Sequence, residues 1–139
     1  MNVQPYLYFG GKSEEAIEFY KDAIGAQVEM LMHFKDMPAD QKSMMQPGSE
    51  DKIMHACIKI GDSPIFISDG DCGGTPKFEG VTLTINATSD AEAEKLFGAL
   101  GKGGQVQMPM AETFFATRFG MVADRFGVSW MVISAKPMG

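Results

Sequence analysis

The two histidines are the first candidates for metal chemistry in this sequence. His33 and His55 are the only ones, and each lies in an apolar stretch that is typical of a β-strand. Two imidazoles together with Asp69 or Glu112 could bind a metal ion, because imidazole nitrogens and carboxylates are common metal ligands. A histidine on an apolar strand is more often a hydrogen-bonded group at the core or the rim. Both interpretations stay open, and His55 is the stronger candidate for lining a pocket.

A second set of candidates lies in the segment AETFFATRFGMVADRFGVSW, residues 111–130. Phe114, Phe115, Arg118 and Phe119 could hold an aromatic or anionic ligand by ring stacking and a charged hydrogen bond. The structural alternative fits the sequence equally well. In that alternative the aromatic rings pack in a core, and Arg118 pairs with Glu112 or Asp124.

The same segment contains the tripeptide Arg-Phe-Gly twice, ending at Gly120 and at Gly127. Gly127 suits a hairpin turn that requires a positive φ. Gly120 suits a strand bulge or a close approach of another group to the backbone. We therefore expect the repeat to be structural and to carry no chemistry of its own.

Length and composition indicate one globular domain. The chain has 139 residues, of which 45% are hydrophobic and 22% are charged. No apolar run approaches the roughly 20 residues of a membrane span, and the N-terminus lacks the features of an export signal, so we expect a cytoplasmic protein. The net charge of -6 and the scattering of the 12 Lys and Arg argue against nucleic-acid binding. Cys57 and Cys72 are expected to be free thiols.

The first half of the sequence predicts a strand, a helix and three further strands. Strand character occurs at residues 3–9, 27–34, 52–60 and 64–68. Ser13 is expected to be the N-cap of a helix that Gly25 ends.

The connection at residues 35–51 is long for so small a domain, and we expect it to be functional or disordered. Its methionines could cap a pocket or pack against a second subunit; they are Met37, Met44 and Met45.

The second half repeats this plan after a glycine- and proline-rich linker at residues 71–79. Residues 81–87 predict a strand, a helix begins at Asp90 and ends at Gly103–Gly104, and a strand opens at residue 105. A hairpin at residues 123–127 then leads into a closing strand at 128–134.

When the first half of the sequence is aligned with the second by one constant offset, Val3 matches Val81 and Gln27 matches Gln105. The segment Gln-Val-Glu-Met then aligns with Gln-Val-Gln-Met. We infer an internal duplication of a strand-helix-strand-strand-strand module. The prediction is an α+β fold with module one at 1–70 and module two at 80–139.

Several short motifs of this chain occur together in one known branch of proteins. They are Pro5-Tyr6-Leu7, Glu15-Ala16-Ile17, Phe19-Tyr20, Lys52-Ile53-Met54-His55-Ala56, Glu112-Thr113-Phe114, Arg118-Phe119-Gly120 and Asp124-Arg125-Phe126-Gly127-Val128-Ser129-Trp130. With these motifs, which span nearly the whole chain, the sequence resembles the vicinal oxygen chelate superfamily of glyoxalases, bleomycin-resistance proteins and extradiol dioxygenases. Within that superfamily it is similar to the PhnB-like branch.

The resemblance implies a single domain of two paired βαβββ modules, whose mixed sheets curl around a cavity with the helices outside. Relatives commonly hold a divalent metal there at four positions, which fall here on Pro5, Phe66, Val81 and Met131. The first three side chains cannot coordinate a metal, and a thioether suits copper(I) better than the metals used in this superfamily. The resemblance therefore implies that the usual metal site is absent, and we expect no metal and no cofactor.

The resemblance also places a set of candidate ligand-binding residues around the cavity. Met131 alternates with Trp130 along its strand, so Trp130 is expected to face the helix layer or a subunit contact. The full set is Leu7, His55, Phe66, Leu83, Glu112, Phe114, Arg118 and Met131.

The sequence leaves three possible functions open. The first is a metal-independent protein that binds a small molecule, with sequestration or resistance as its role. The second is an enzyme of the superfamily, a lyase, isomerase or dioxygenase, with non-standard metal ligands. The third is a demethylubiquinone methyltransferase, a label often given to this branch, which is disfavoured because no glycine motif for an adenosyl cofactor is found. The resemblance further implies a homodimer.

Overall fold

The computed structural model describes residues 1–44, 47–70, 72 and 75–137, with the side chains of 42–44 left aside. The chain divides into two compact units, Met1–Pro76 and Lys77–Gly139. Among the described residues, no helix is both long and apolar enough to cross a membrane.

The first unit contains one α-helix and a four-stranded mixed sheet. Its elements are β1 (Tyr6–Tyr8), α1 (Ser13–Ile24), β2 (Gln27–His33), two short 3₁₀ helices (Phe34–Asp36 and Ala39–Met44), β3 (Ile53–Ile60) and β4 (Ser63–Ser68). The strand order is β1-β4-β3-β2. β1 pairs with β4 in parallel, and the other pairs are antiparallel.

The second unit has the same order of elements. They are β5 (Leu83–Asn86), α2 (Asp90–Leu100), β6 (Gln105–Ala111), β7 (Ala116–Ala123) and β8 (Ser129–Ala135). The strand order is β5-β8-β7-β6, with β5 parallel to β8. The predicted α+β fold of two βαβββ modules is therefore confirmed.

Each helix covers one face of its own sheet. In the first unit Ala16, Ile17 and Tyr20 of α1 are buried together with Ile58 and Ile67 of the sheet. Their spacing of three and four residues places them on one side of the helix. Complete burial of an aliphatic side chain stabilises the fold by about 1.5–3 kcal/mol, so this layer holds α1 on the sheet.

The prediction that Ser13 caps α1 is wrong. Its hydroxyl is buried and has no hydrogen-bond partner among the described residues. Asp69, which follows β4, supplies the cap: its Oδ1 accepts the N–H groups of Gly11 and Ser13, both at 2.9 Å. Its Oδ2 accepts the N–H of Ile53 at 2.9 Å. One carboxylate that is remote in sequence therefore joins the helix start to two strands.

The matching Gln-Val-X-Met sequences form the same structure in both units. The pairing of β2 with β3 shifts register between Val28 and Met30, and the pairing of β6 with β7 shifts between Val106 and Met108. A bulge gives the edge strand one extra residue and turns the following side chains to the other face. The repeat thus encodes a bulge as well as a strand.

The closing hairpin is built around Asp124, which is 3% exposed. Its Oδ1 accepts the N–H groups of Phe126 and Val128 at 2.9 and 3.1 Å. Its Oδ2 accepts the indole N–H of Trp130 at 2.8 Å. Gly127 adopts a φ of 89°, as expected for this turn.

Gly120 is explained by a close approach, and it lies opposite a register shift of β6 between Met108 and Ala111. A Cβ at this position would lie 2.6 Å from Met110 Sδ and 2.7 Å from Phe97 Cε2. Phe97 belongs to α2, so a side chain here would push the helix away from β7. The structural interpretation of both glycines is confirmed.

Several predicted boundaries differ from the structure: α2 ends at Leu100 and not at Gly103–Gly104, and the strand predicted at 81–87 is Leu83–Asn86. The first strand begins at Tyr6, and Val3 is 94% exposed. The segment 35–51 contains two 3₁₀ helices, and its Ser49 is 2% exposed. Met45 lies outside the described residues.

Candidate functional site

The first sheet has one face under α1 and one face that α1 leaves open. Side chains alternate between the faces along each strand. In β1, Leu7 is 8% exposed and lies with Ile67 on the helix face, whereas Tyr6 and Tyr8 are 39% and 52% exposed. Tyr6 pairs in register with Phe66, which therefore shares its face.

Four aromatic rings lie together on this open face, and we call them the aromatic face: Tyr6, Tyr8, His55 and Phe66. The rings of Tyr6 and Tyr8 stack with centroids 4.9 Å apart. Phe66 lies 5.7 Å from Tyr6 and stacks on His55 at 5.3 Å. The rings present a continuous aromatic surface with polar atoms at its centre.

A hydrogen bond joins two polar groups of the aromatic face. Tyr6 Oη lies 2.8 Å from His55 Nδ1. Burial raises the pKa of Tyr6, the neighbouring Tyr8 raises it further, and Ser68 offsets part of the rise. Tyr6 therefore remains a neutral hydroxyl that donates its proton at neutral pH.

The second sheet carries sulfur and aliphatic groups on its open face. Register pairing sets Met108, Met121 and Met131 side by side on β6, β7 and β8, followed by Thr84 on β5. The Thr84 hydroxyl lies 3.9 Å from Met131 Sδ. A row of thioethers is polarizable and adapts to irregular apolar shapes.

Leu7 and Leu83, predicted to line a ligand cavity, lie on the helix side of their sheets. Leu7 is in the core under α1, and Leu83 pairs with Trp130, whose side chain is 2% exposed and lies on the helix side. The exposed neighbours in the first strand are Tyr6 and Tyr8.

Arg118 pairs with two acidic residues of α2 and not with the candidate residue Glu112. Its Nε donates to Glu94 Oε1 at 3.1 Å, and its Nη1 lies 3.8 Å from Asp90 Oδ2. The expected pairing with Glu112 or Asp124 is therefore wrong, because β7 turns Arg118 toward α2. Thr117 also donates to Asp90 and lowers the pKa of that carboxyl.

Glu112 and Phe114 occupy a turn between β6 and β7. Glu112 pairs with Lys136 at 3.4 Å. Phe114 is 91% exposed and contacts Phe115, with ring centroids 5.1 Å apart. Both side chains face solvent, and neither is brought to Arg118.

His33, the weaker histidine candidate, lies at the end of β2. Its Nδ1 is 3.7 Å from Asp36 Oδ2, and the same carboxylate accepts the His33 N–H. This contact fixes the start of the first 3₁₀ helix, which is a structural role.

The open faces do not suit a hard divalent ion. Within the described part of the chain, no three His, Cys, Asp or Glu side chains come together. The row through Phe66 offers Tyr6, Cys57 and Met30, and the row through Met131 offers Thr84 and thioethers. Hard ions require several oxygen ligands, usually carboxylates.

Sequence reasoning missed Tyr6 and Tyr8. The signal was present, because the alternation in Tyr-Leu-Tyr-Phe places Tyr6 and Tyr8 together opposite Leu7 and Phe9. Phe9 is 1% exposed, which fixes the buried side.

Comparison with known proteins identifies close sequence and structural likeness. Residues 1–133 match the profile of a family described as 3-demethylubiquinone-9 3-methyltransferase. Protein YjdN of Escherichia coli strain K12 is 33% identical over 138 residues, which cover 95% of this chain and 94% of that protein. The crystal structure of protein PA1353 from Pseudomonas aeruginosa is 38% identical with a TM-score of 0.85, and the match covers 99% of both chains.

A more distant structure shares only the fold. The fosfomycin resistance protein FosX from Mesorhizobium loti is 12% identical with a TM-score of 0.63, over 98% of this chain and 92% of that one. The arrangement of helices and strands is thus found in a protein whose sequence has diverged almost completely.

Proposed function

The chain belongs to the family described as 3-demethylubiquinone-9 3-methyltransferase, and on that premise we propose that it binds a small molecule on the aromatic face. The observation that carries this proposal is the cluster of Tyr6, Tyr8, His55 and Phe66, with ring centroids 4.9 to 5.7 Å apart. Small-molecule sites are mainly apolar and aromatic, with a few polar groups that orient the ligand. The role is sequestration or resistance within the vicinal oxygen chelate superfamily.

The rings of the aromatic face lie outside the core of the first unit. The core of the first unit lies on the opposite side of the sheet, where Ile67 and Ala56 are 0% exposed. Tyr8, by contrast, is 52% exposed and stacked on Tyr6. Contiguous exposed apolar groups of this kind mark interaction sites more often than structural ones.

Methyl transfer is less well supported by the residues. The turn at Gly10–Gly11 before α1 comes nearest to a nucleotide-binding glycine motif, but the Asp69 carboxylate already accepts the N–H groups of Gly11 and Ser13. A helix N-terminus that holds a carboxylate in this way does not fit an anionic or adenosyl group. Tight binding of S-adenosylmethionine, measured by calorimetry, would overturn this view.

The second candidate function is an enzyme with non-standard metal ligands. The donor sets of both open faces disfavour it. The first face offers one imidazole, one thiol and tyrosine hydroxyls, and the second offers thioethers and one hydroxyl. Within the described residues no three His, Cys, Asp or Glu side chains come together. Metal analysis of untagged protein purified without chelator separates the two functions. Stoichiometric zinc, nickel, manganese or iron would favour the enzyme.

The proposal is tested by fluorescence titration with 8-anilinonaphthalene-1-sulfonate, an aromatic probe. The native protein should bind it saturably, and Phe66→Ala should weaken binding roughly tenfold, since the variant loses a central ring contact. Ile65→Ala is the matched control, because Ile65 lies on the same strand, is 6% exposed and faces the core. That variant should lose about 2–4 kcal/mol of stability and keep probe binding. Equal binding by Phe66→Ala and the native protein would refute the proposal.

A further inference from the structure

We propose that the Nε2–H group of His55 selects the ligand, so that the aromatic face prefers planar aromatic compounds bearing an oxygen acceptor, such as an aromatic carboxylate. This inference rests on the proposed function and names the chemical class of its ligand. It follows from the hydrogen-bond partners of Tyr6 and His55.

Tyr6 determines which nitrogen of His55 carries the proton. A neutral tyrosine hydroxyl has one hydrogen to donate, and Tyr6 Oη lies 2.8 Å from His55 Nδ1 and also interacts with the Ser68 hydroxyl. The phenol is the stronger acid of this pair, and the imidazole nitrogen is a stronger base than a serine hydroxyl, so Tyr6 donates to Nδ1. In a neutral imidazole one nitrogen accepts and the other donates. His55 therefore carries its hydrogen on Nε2.

That hydrogen is available to a ligand. Within the described residues, the hydrogen bond of the His55 ring to the protein is the one at Nδ1, and Nε2 forms none. Protonation of the ring would leave Nε2–H in place, so the group is a donor in both charge states. A bound molecule must then offer an acceptor at this point or leave the donor unsatisfied, which costs affinity.

The groups around His55 select a flat ligand and favour a negative charge on it. The rings of Phe66 and Tyr6 flank His55 at 5.3 and 5.6 Å, which suits a flat aromatic group stacked beside it. Lys59 alternates onto the same face of β3 and forms no ion pair in the described structure. Four residues along a strand span about 13 Å, so Lys59 adds long-range attraction for an anion.

Calorimetry with two probes of matched shape tests this selection. 1-Naphthoate carries an oxygen acceptor, and 1-naphthylmethylamine carries a cationic donor on the same ring. The native protein should prefer the carboxylate about tenfold, the factor expected for one charge-assisted hydrogen bond. His55→Phe keeps a ring in the stack, so it should still bind both probes, and the preference should fall to the small part that Lys59 supplies.

The outcomes separate this inference from the function on which it rests. Equal affinity of the native protein for both probes would overturn the role of His55 and leave small-molecule binding intact. Failure of both probes and of the anilinonaphthalene sulfonate to bind would overturn the proposed function itself.

A second readout does not depend on ligand binding. Long-range ¹H–¹⁵N correlation spectra identify the protonated nitrogen of each imidazole, and a His33→Gln variant assigns the two histidines. Native His55 should be protonated at Nε2, and Tyr6→Phe should produce a mixture of both tautomers. A native ring protonated at Nδ1 alone would contradict the inference.

Discussion

Tyr6 and His55 are separated by 49 residues and joined by one hydrogen bond. Strand alternation allows a sequence to show that Tyr6 and Tyr8 share a face, but it does not show which side the helix covers. That side is set by the Phe9–Lys12 turn, in which Gly10 and Gly11 have φ values of 60° and 108°. The identities of the residues were therefore predictable, and their contacts were not.

The Tyr6 hydroxyl should make stability depend on pH in the alkaline range. The pKa of Tyr6 is raised in the folded protein, so the fold favours the neutral phenol. Its contribution is complete below the unfolded pKa of about 10 and is lost as pH rises through the folded pKa. Urea unfolding at pH 8 and pH 11 should show a smaller loss for Tyr6→Phe than for the native protein.

Tyr8→Phe is the control for this measurement. It keeps the burial of Tyr6, which is the main cause of the shift, and the bond to His55. This variant should retain most of the alkaline loss. An identical pH response in Tyr6→Phe and the native protein would contradict the assignment.

At the scale of elements, buried carboxylates connect segments that are distant in sequence. Asp69 holds the start of α1 to β3, and Asp124 holds the closing hairpin to Trp130. The helices and strands followed from periodicity and from glycine positions. The caps could not be predicted, because a local serine such as Ser13 and a remote aspartate are equally able to accept an N–H group.

Asp69→Asn should destabilise the protein by about 2–4 kcal/mol. The carboxylate accepts three backbone N–H groups, whereas an amide places an NH₂ group against at least one of them. Urea unfolding at pH 7 measures the change. Asp62→Asn, at an exposed turn, removes the same charge and should cost less than about 0.5 kcal/mol. Equal effects of the two substitutions would show that Asp69 does not cap α1.

At the scale of the whole molecule, the internal duplication was visible in the sequence and is present in both sheets. The matching bulges near Val28 and Val106 extend it to details of the backbone. No sequence pattern identified the ligand, because the ligand-binding surface depends on which face of each strand is exposed. We propose that both modules belong to a single domain.

We expect the protein to be a homodimer. The edge strands β2 and β6 expose Val28, Met30, Val106 and Met108, at 41%, 37%, 54% and 46%. Exposed apolar edge strands pair readily with another chain. Light scattering at micromolar concentration should give the mass of two chains, and Val106→Lys should shift it toward one. Val3→Lys, at a residue outside the strands, should have no effect, and a native monomer would contradict the expectation.

The central claim is that the aromatic face binds a small molecule, and methyl NMR of the methionines tests it most directly. Met30 lies in the row of Phe66 and Tyr6, and Met32 pairs with His55. Saturation with 1-naphthoate should shift both methyl signals through the ring current of the ligand and leave Met1 unchanged. In Phe66→Ala the same shifts should require roughly ten times more probe. Unmoved Met30 and Met32 signals at saturating probe would contradict the claim.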